Sequence, residues 1–381
     1  MPREALTIDP VVMRAGLKAF VEATRPVFAG DPRWVQPLTL ERLGHLDARR
    51  NPSMRELEIA YWVARRGPRT VGRVSAQVNR RHLERHRDAT GHFGFLDAVD
   101  EPKVFAALLG TAEAWLCERG MRRIAGPFSP SINDECGLLV EGFDRPPSVM
   151  MGHARPYYAR RLDELGYAKV TDMVAYDFAF GRPWPAAVER LLARARRSPG
   201  LRVRPLDMRR YAEEVATLCR IFNDAWADNW GFIPFGDDEA GYLARSIRPL
   251  VEAGSFAIGE LEGEPAAMAV LLPNLNEVIA DLDGRLLPLG WARLLWRLKM
   301  GGLRTGRVAL MGVLRRLHGT SRGAALALGV IDAVKMHHER RGYERAELSW
   351  VLEDNRPMRD LIELGGGVVY KRYRIYGRAL G

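Results

Sequence analysis

The chain has 381 residues, 47% of them hydrophobic, with 57 Lys and Arg against 47 Asp and Glu for a formal charge of +10. That length suits two domains with real cores, and the charge attracts anions such as nucleic acid, acidic lipid or a phosphate-bearing cofactor. The basic residues are scattered, and no zinc finger, RNP-type strand or basic tail accompanies them, so no nucleic-acid partner is expected.

The opening "MPREALTIDPVV" has no basic segment followed by an apolar run, and no stretch approaches about 18 apolar residues. A cytoplasmic protein is expected. Cys117, Cys136 and Cys219 are odd in number, far apart and without zinc spacing, which fits reduced thiols and no metal. From Arg14 to Phe28 apolar residues recur at helical spacing. "YWVARRGPRTVGRVSAQVN" reads as two strands around a Gly-Pro turn, and "NRRHLERHR" as solvated surface. "HFGFLDAV" is strand-like, "KVFAALLGTAEAWLCERG" a helix stopped by Gly120, and "RRIAGPFS" a strand. After a long loop, "PYYARRLDELGY" is a helix ending at Gly166 and "AKVTDMVAYDFAF" a strand.

The second half repeats this order. "MRRYAEEVATLCRIFNDAWADN" is helical, "SFAIGELEGEPAAMAVLLPN" is a strand pair around Gly263, and "GRVALMGVL" is a strand. A helix from Arg322 to Arg341 follows, then the strand "AELSWVLEDN", the short helix "RPMRDLIELGG" and the last strand "VVYKRYRIY". The repeat implies an α/β (α+β) protein of two similar domains, 1–182 and 183–381, each a mixed sheet flanked by helices. The stretch "GRPWPAAVERLLARARRSPG" reads as the linker helix and turn.

The loop "GTSRGAALALG" from Gly319 to Gly329 runs from a strand into a helix. Unpaired N–H groups at the positive end of the helix dipole suit a pyrophosphate. Gly319, Gly323, Ala324 and Ala325 allow close approach, and Arg322 adds charge. The lysine of GxxxxGK[ST] and the pattern GxGxxG are both absent, which disfavours a nucleotide triphosphatase and a dinucleotide fold. A tight turn with an exposed arginine is the structural alternative.

The strand, "TSRGAA" at Thr320 to Ala325, the long helix, the strand ending in "EDN" and the short helix resemble motifs A and B of the GNAT superfamily of acyl-CoA-dependent N-acyltransferases. The superfamily's loop is Gln or Arg, two residues, Gly, one residue, then Gly or Ala. Gly323 and Ala325 match it; Thr320 departs. The resemblance implies two tandem GNAT domains and one acyl-CoA, held in the C-terminal half by Gly319, Thr320, Ser321, Arg322, Gly323, Ala324 and Ala325. The first half lacks the loop, and Asp97, Asp100 and Glu101 stand where a pyrophosphate would be repelled.

"GPFSPSINDECGLLVEGFDRPPSVMMGHARPYY", "FNDAWADNWGFIP", "ELSWVLEDNRPM" and "YKRYRIY" resemble a group of bacterial tandem-GNAT proteins that includes the bacterial ceramide synthases. That resemblance implies transfer of a fatty acyl group from acyl-CoA, or another acyl thioester, to the amine of a sphingoid base such as 3-oxosphinganine. The alternatives are an acetyltransferase for another small amine, an aminoacyl-tRNA-dependent transferase, and an acyl-CoA-binding protein without turnover.

An amine attacks a thioester only when neutral, so a proton acceptor and donors to the forming oxyanion are needed. The GNAT resemblance places the ends of two splayed strands beside the thioester. The N–H groups of Val313 and Leu314 are then the oxyanion candidates, and Glu353 is the first candidate base. Helix capping is the structural alternative for Glu353 and Asp354, and Asn355, grouped with the cofactor contacts, also reads as a cap. Where many GNAT enzymes place an acid tyrosine in the short helix this chain has Ile362; Tyr370, Tyr373 and Tyr376 fall on the next strand.

The long loop Pro130 to Tyr158 is the candidate for acceptor recognition, because long ordered loops tend to be functional. Asn133, Asp134, Glu135 and His153 are polar there, the last three being alternative catalytic groups. Met150, Met151, Tyr157 and Tyr158 suit a hydrocarbon tail. Asn223, Trp226, Asn229 and Trp230 complete the substrate-binding set, with ordinary helix packing as their alternative. Finally, on a helix Trp291, Leu294, Leu295 and Leu298 share one face and Arg293 and Arg297 lie opposite, a composition fitting peripheral contact through Trp291 to Leu298 with the cytoplasmic face of a membrane, with an ordinary core-covering helix, suggested by Lys299 on the apolar side, as the alternative.

Overall fold

The computed structural model describes residues 4–300 and 302–381, with the side chains of Met13 and Arg14 left out. The chain divides into two compact units: Met1–Met173 with Ile279–Arg293 and Lys371–Gly381, and Val174–Val278 with Leu294–Tyr370.

In chain order the first unit carries β1 (Leu6–Pro10), α1 (Met13–Glu22), α2 (Thr24–Val27), α3 (Thr39–His45), β2 (Leu57–Arg66), β3 (Arg69–Asn79), α4 (Arg80–His86), β4 (Thr90–Ala98), α5 (Pro102–Cys117), β5 (Arg123–Gly126), β6 (Phe128–Ser129), β7 (Glu135–Cys136), β8 (Leu138–Glu141), α6 (Tyr157–Glu164) and the start of β9 (Ala168–Ala179). Strands β1 to β4 are antiparallel neighbours, and β5 joins β4 in parallel over Thr90 to His92. Helix α5 covers this sheet because Val104, Phe105, Leu108, Ala112 and Leu116 recur at helical spacing and are all buried.

The chain continues with α7 (Ala186–Arg196), β10 (Leu201–Pro205), α8 (Tyr211–Ala225), α9 (Asp237–Ile247), β11 (Phe256–Leu261), β12 (Glu264–Pro273), α10 (Asn276–Ile279), α11 (Gly290–Met300), β13 (Thr305–Val313), α12 (Ser321–Arg340), β14 (Arg345–Leu352), α13 (Arg356–Leu364) and β15 (Val368–Ala379), all in the second unit except Ile279 of α10, α11 up to Arg293 and β15 from Lys371. Strands β10 to β13 are antiparallel and β14 is parallel to β13. One apolar core joins α7 and α12 to the sheet through Val188, Leu192, Leu326 and Val330; another joins α8 through Leu218 and Phe222 to Ile258 and Met268.

Each half runs strand, helix, three antiparallel strands, helix, parallel strand, helix, strand, so the repeat read from the sequence is present, extended by the short opening strands β1 and β10. The compact units nevertheless cut across the linear division at 182. The last strand is in the first unit's sheet, where Tyr376 faces Gly126 and Ala379 faces Arg123. The expected linker helix α7 is a core element: Val188 and Leu192 are buried, and the Trp184 indole just before it donates to Asp332 of α12 at 2.8 Å.

Candidate functional site

The second unit opens where β13 and β14 part. Their parallel pairing runs from Thr305 opposite Arg345 to Val308 opposite Leu348 and stops there, although β13 continues to Val313 and β14 to Leu352. Beside the last rung Ala309 is the extra residue of a β-bulge, since Leu310 faces Val270 while Val308 faces Leu271. A bulge bends its strand. Further along, the Leu314 N–H donates to the Ala266 carbonyl at 2.9 Å. Antiparallel alternation then directs the Gly312 N–H to β12 as well, and leaves those of Met311 and Val313 on the opened edge. On that edge the Trp226 indole donates to the Met311 carbonyl at 2.9 Å, and His318 Nε2 to the Val313 carbonyl at 2.8 Å. Of the two sequence-derived oxyanion donors, Leu314 is therefore spent in the sheet. Val313 faces the opening, joined by Met311.

The loop into α12 is exposed at Gly319, Thr320, Ser321 and Arg322, as is Ala324; Ala325 is half-buried. Thr320 caps the helix, its hydroxyl accepting from the Gly323 N–H at 3.0 Å and donating to the Leu317 carbonyl at 2.7 Å. Its departure from the family pattern thus carries a capping function, which uses one N–H; the first-turn N–H groups of Ser321 and Arg322 precede any intrahelical partner. Gly323 is buried, and a Cβ there would stand 2.1 Å from the Leu317 carbonyl oxygen. Its smallness is required by packing beneath the loop. Arg322 is half-exposed, with Glu262 at 3.9 Å.

In the first unit the corresponding splay, beyond His92 opposite Ala125, is filled. Ser129 accepts from the Phe95 N–H at 2.9 Å, Gln77 donates to the Phe128 carbonyl at 2.7 Å, and a Cβ on Gly94 would lie 1.7 Å from that same oxygen. The acidic residues expected to repel a pyrophosphate are paired instead, Asp97 with Arg73 at 2.7 Å, Asp100 with Arg161 at 2.7 Å and Glu101 with Arg66 at 2.5 Å. In this half the chain's own backbone fills the splay.

The loop expected to recognise the acceptor is largely tied to the first unit. Asp134 bonds His45 at 2.9 Å and accepts from Ser131 at 2.6 Å, and Glu135 pairs with Arg42. Burial pushes the Asp134 carboxyl up, but His45 and Ser131 outweigh it and leave the pKa lowered. A carboxylate so stabilised is a weak proton acceptor. The Asn133 N–H donates to the Ser131 hydroxyl at 3.2 Å. His153 bonds Asp31 at 3.0 Å with its side chain almost fully buried; burial is the largest influence and its pKa is lowered, which favours the neutral imidazole. Tyr158 is fully buried, its hydroxyl accepting from the Ala98 N–H, and Met151 is buried too, so neither reaches a substrate as placed. Tyr157 donates to the Ala98 carbonyl at 2.8 Å, and Met150 is half-exposed.

In the second unit Asn223 bridges the N–H and carbonyl of Phe235, and Asn229 closes a turn with its carbonyl accepting from Phe232. Trp230 is half-buried. Asn355 caps α13 by accepting from the Met358 N–H at 3.2 Å, and the carbonyl of Glu353 accepts from Arg359 at 2.9 Å. Ile362 is buried against Tyr176 and Val351.

None of the known protein-family profiles matches the chain. It is 44% identical over 378 residues to the bacterial ceramide synthase of Caulobacter vibrioides, covering 98% of both chains. The chain belongs to the bacterial ceramide synthase family. Protein YghO of Escherichia coli K12 is 43% identical over 369 residues, 96% of this chain and 93% of that one. The fold of this family member is that of tandem GNAT proteins. A tandem GNAT protein from the clavulanic acid pathway superposes with a TM-score of 0.57 at 14% identity, over 99% of both chains. A GCN5-related N-acetyltransferase from Sphaerobacter thermophilus gives 0.53 at 13%, over 98% and 96%.

One polar group of this family member escaped the sequence reading. Arg307, Glu347 and Ser349 are buried at the closed end of the β13–β14 splay, and the half-buried Tyr370 donates to Glu347. Their signal was Glu347 and Ser349 two apart in the otherwise apolar "AELSWVL", which alternation puts on one face.

Proposed function

We propose that the protein is an acyl-CoA-dependent N-acyltransferase that moves a fatty acyl group to the amine of a sphingoid base such as 3-oxosphinganine, making an oxoceramide. The observation that carries this reading is near-full-length identity to a bacterial ceramide synthase in a chain whose second unit keeps its splay open. The thioester lies along the opened edge of β13, where the N–H groups of Met311 and Val313 stabilise the oxyanion formed when the amine adds. The pyrophosphate takes the first turn of α12, with Ser321 and Arg322 supplying N–H groups and charge. The first unit, its own splay filled, recognises the acceptor. The proton acceptor belongs among the groups at this splay, Glu353 just beyond β14 being the one named from the sequence.

Both substrates partition into membranes, and α11 supports contact with the cytoplasmic face. Among the described residues no helix is long and apolar enough to cross a membrane. Helix α11 has no buried residue, and Trp291, Leu295, Trp296 and Met300 are exposed on it, preceded by exposed Leu287 and Leu289. Arg297, expected to face headgroups, instead donates to the Val278 carbonyl at 2.7 Å; Arg293, 3.5 Å from Asp281, and Lys299 are the exposed cations of α11 for anionic lipid.

Release of free CoA from long-chain acyl-CoA, with sphingoid base added or withheld, tests the activity. Base-dependent release with an N-acyl product supports it. Turnover confined to acetyl-CoA and small amines, or no turnover with intact acyl-CoA binding, would replace it with one of the alternatives.

A further inference from the structure

A single buried carboxylate gathers two hydroxyl donors and a cation at the closed end of the second unit's splay. Glu347 faces Arg307 across β13 and β14, one rung before the last paired one. Ser349 donates to one carboxylate oxygen of Glu347 and Tyr370 to the other. Arg307 donates from Nε to the Ser349 hydroxyl at 2.9 Å and from its other end to the Ser349 carbonyl at 3.2 Å, with Glu347 3.9 Å away. Arg307, Glu347 and Ser349 are 4%, 5% and 5% exposed, whereas Tyr370 is half-buried and so links the carboxylate to the outside.

Stability gives little reason for this group. A buried ion pair gains no more than well-packed apolar side chains of similar volume would, and the flanking Ala346 and Leu348 show that the strand accepts such residues. Buried ionisable groups beside an opening concentrate at functional sites.

We infer that Tyr370 and Glu347 form the path that takes the proton from the acceptor amine, an assignment resting on the N-acyltransferase reading above. Tyr370 is the catalytic residue that meets the amine; Glu347 acts through it, and Arg307 and Ser349 are positioning residues. A sphingoid amine reaches the site as an ammonium ion. One N–H bond breaks toward the Tyr370 oxygen while the Tyr370 proton moves to Glu347, leaving the nitrogen its electron pair. That pair forms the bond to the thioester carbon, and the C–S bond breaks with its electrons on sulfur. The second amine proton reaches the thiolate, giving amide and free thiol, and Glu347 returns its proton to solvent through Tyr370.

The test compares Glu347→Gln, Tyr370→Phe and Glu347→Asp across pH, with acyl-CoA binding measured in parallel. The expected result is a kcat lowered on the order of a hundredfold at neutral pH in Glu347→Gln and Tyr370→Phe, the usual scale for loss of a general base, with binding unchanged. The loss should shrink as pH rises and solvent deprotonates the amine, and Glu347→Asp should recover part of the rate. A cooperatively melting Glu347→Gln or Tyr370→Phe with near-wild-type rates, or with a loss equal at all pH, overturns the assignment. If Glu347→Gln fails to fold because Arg307 loses its carboxylate, Tyr370→Phe, at a half-buried phenol, decides. An active wild type with indifferent variants removes this inference alone; a wild type that acylates no amine removes the reading beneath it as well.

Discussion

The indole of Trp226 donates to the backbone carbonyl of Met311 at 2.9 Å and lies edge-on to Trp350, with ring centroids 5.3 Å apart. The residue that caps the end of α8 thus satisfies the carbonyl that β13 loses when β14 departs, and steadies the edge proposed to carry the oxyanion donors. Trp226→Phe keeps an aromatic ring but removes the donor. It should cost about 1 kcal/mol of stability, the usual net value of one hydrogen bond. Acyl transfer should fall about tenfold, the loss expected when a donor edge is misplaced, with little change in acyl-CoA affinity. Thermal melting, steady-state kinetics and calorimetry check the three outcomes.

At the start of α12 stability and cofactor binding should move in opposite directions. An acidic residue in the first turn complements the helix dipole but repels a pyrophosphate. Exposed Ser321→Asp should therefore hold or raise the melting temperature while weakening acyl-CoA binding at least about tenfold, the worth of roughly 1.4 kcal/mol. Calorimetric titration with unchanged affinity would move the pyrophosphate elsewhere. Gly323 is unsuited to this test, since any Cβ there meets the Leu317 carbonyl.

The pair of His45 and Asp134 predicts a pH window. Burial pushes His45 down from 6.5, but the Asp134 charge and hydrogen bond prevail and its pKa is raised; that of Asp134 is lowered from 3.8. The histidine contribution is complete below its unfolded value and is lost as pH rises through the raised folded value. The aspartate contribution is complete above its unfolded value and is lost as pH falls through the lowered one. His45→Gln should thus destabilise most near about pH 5.5, and the difference from wild type should shrink above about pH 8. Melting curves at both pH values measure it.

Helix α11 should bind anionic vesicles in a salt-sensitive way. Trp291 and Trp296 changed to Ala together with Arg293 and Lys299 to Glu should reduce co-sedimentation by about tenfold or more at low salt, because both apolar insertion and charge attraction are removed. The variant should still melt cooperatively, as none of the four is buried. Equal sedimentation of both forms would make α11 an ordinary surface helix.

Much of the architecture was legible because it is local. The period of apolar residues in α5 and α12, and the turns at Gly67, Gly120, Gly166 and Gly263, all with positive φ, mark the elements in both halves. The loop before α12 was legible for the same reason. Less of the site was, because its chemistry is non-local. Leu314 looks as available as Val313 until the pairing with Ala266 uses its N–H, and Asp134 looks like a base until His45, 89 residues earlier in the chain, holds it charged.

The sequence by itself determined the repeat, the strand-to-helix turn at Gly319 to Ala325 and the family resemblance, since each resides in neighbouring residues whose spacing and size dictate local backbone. Tertiary structure alone decided which splay is open, that β15 completes the first unit's sheet, and that Arg307, Glu347, Ser349 and Tyr370 meet on one carboxylate. Those outcomes depend on strand pairing across tens to hundreds of residues. A backbone N–H or a carboxylate has no fixed chemical role until pairing determines which partner, if any, it still lacks.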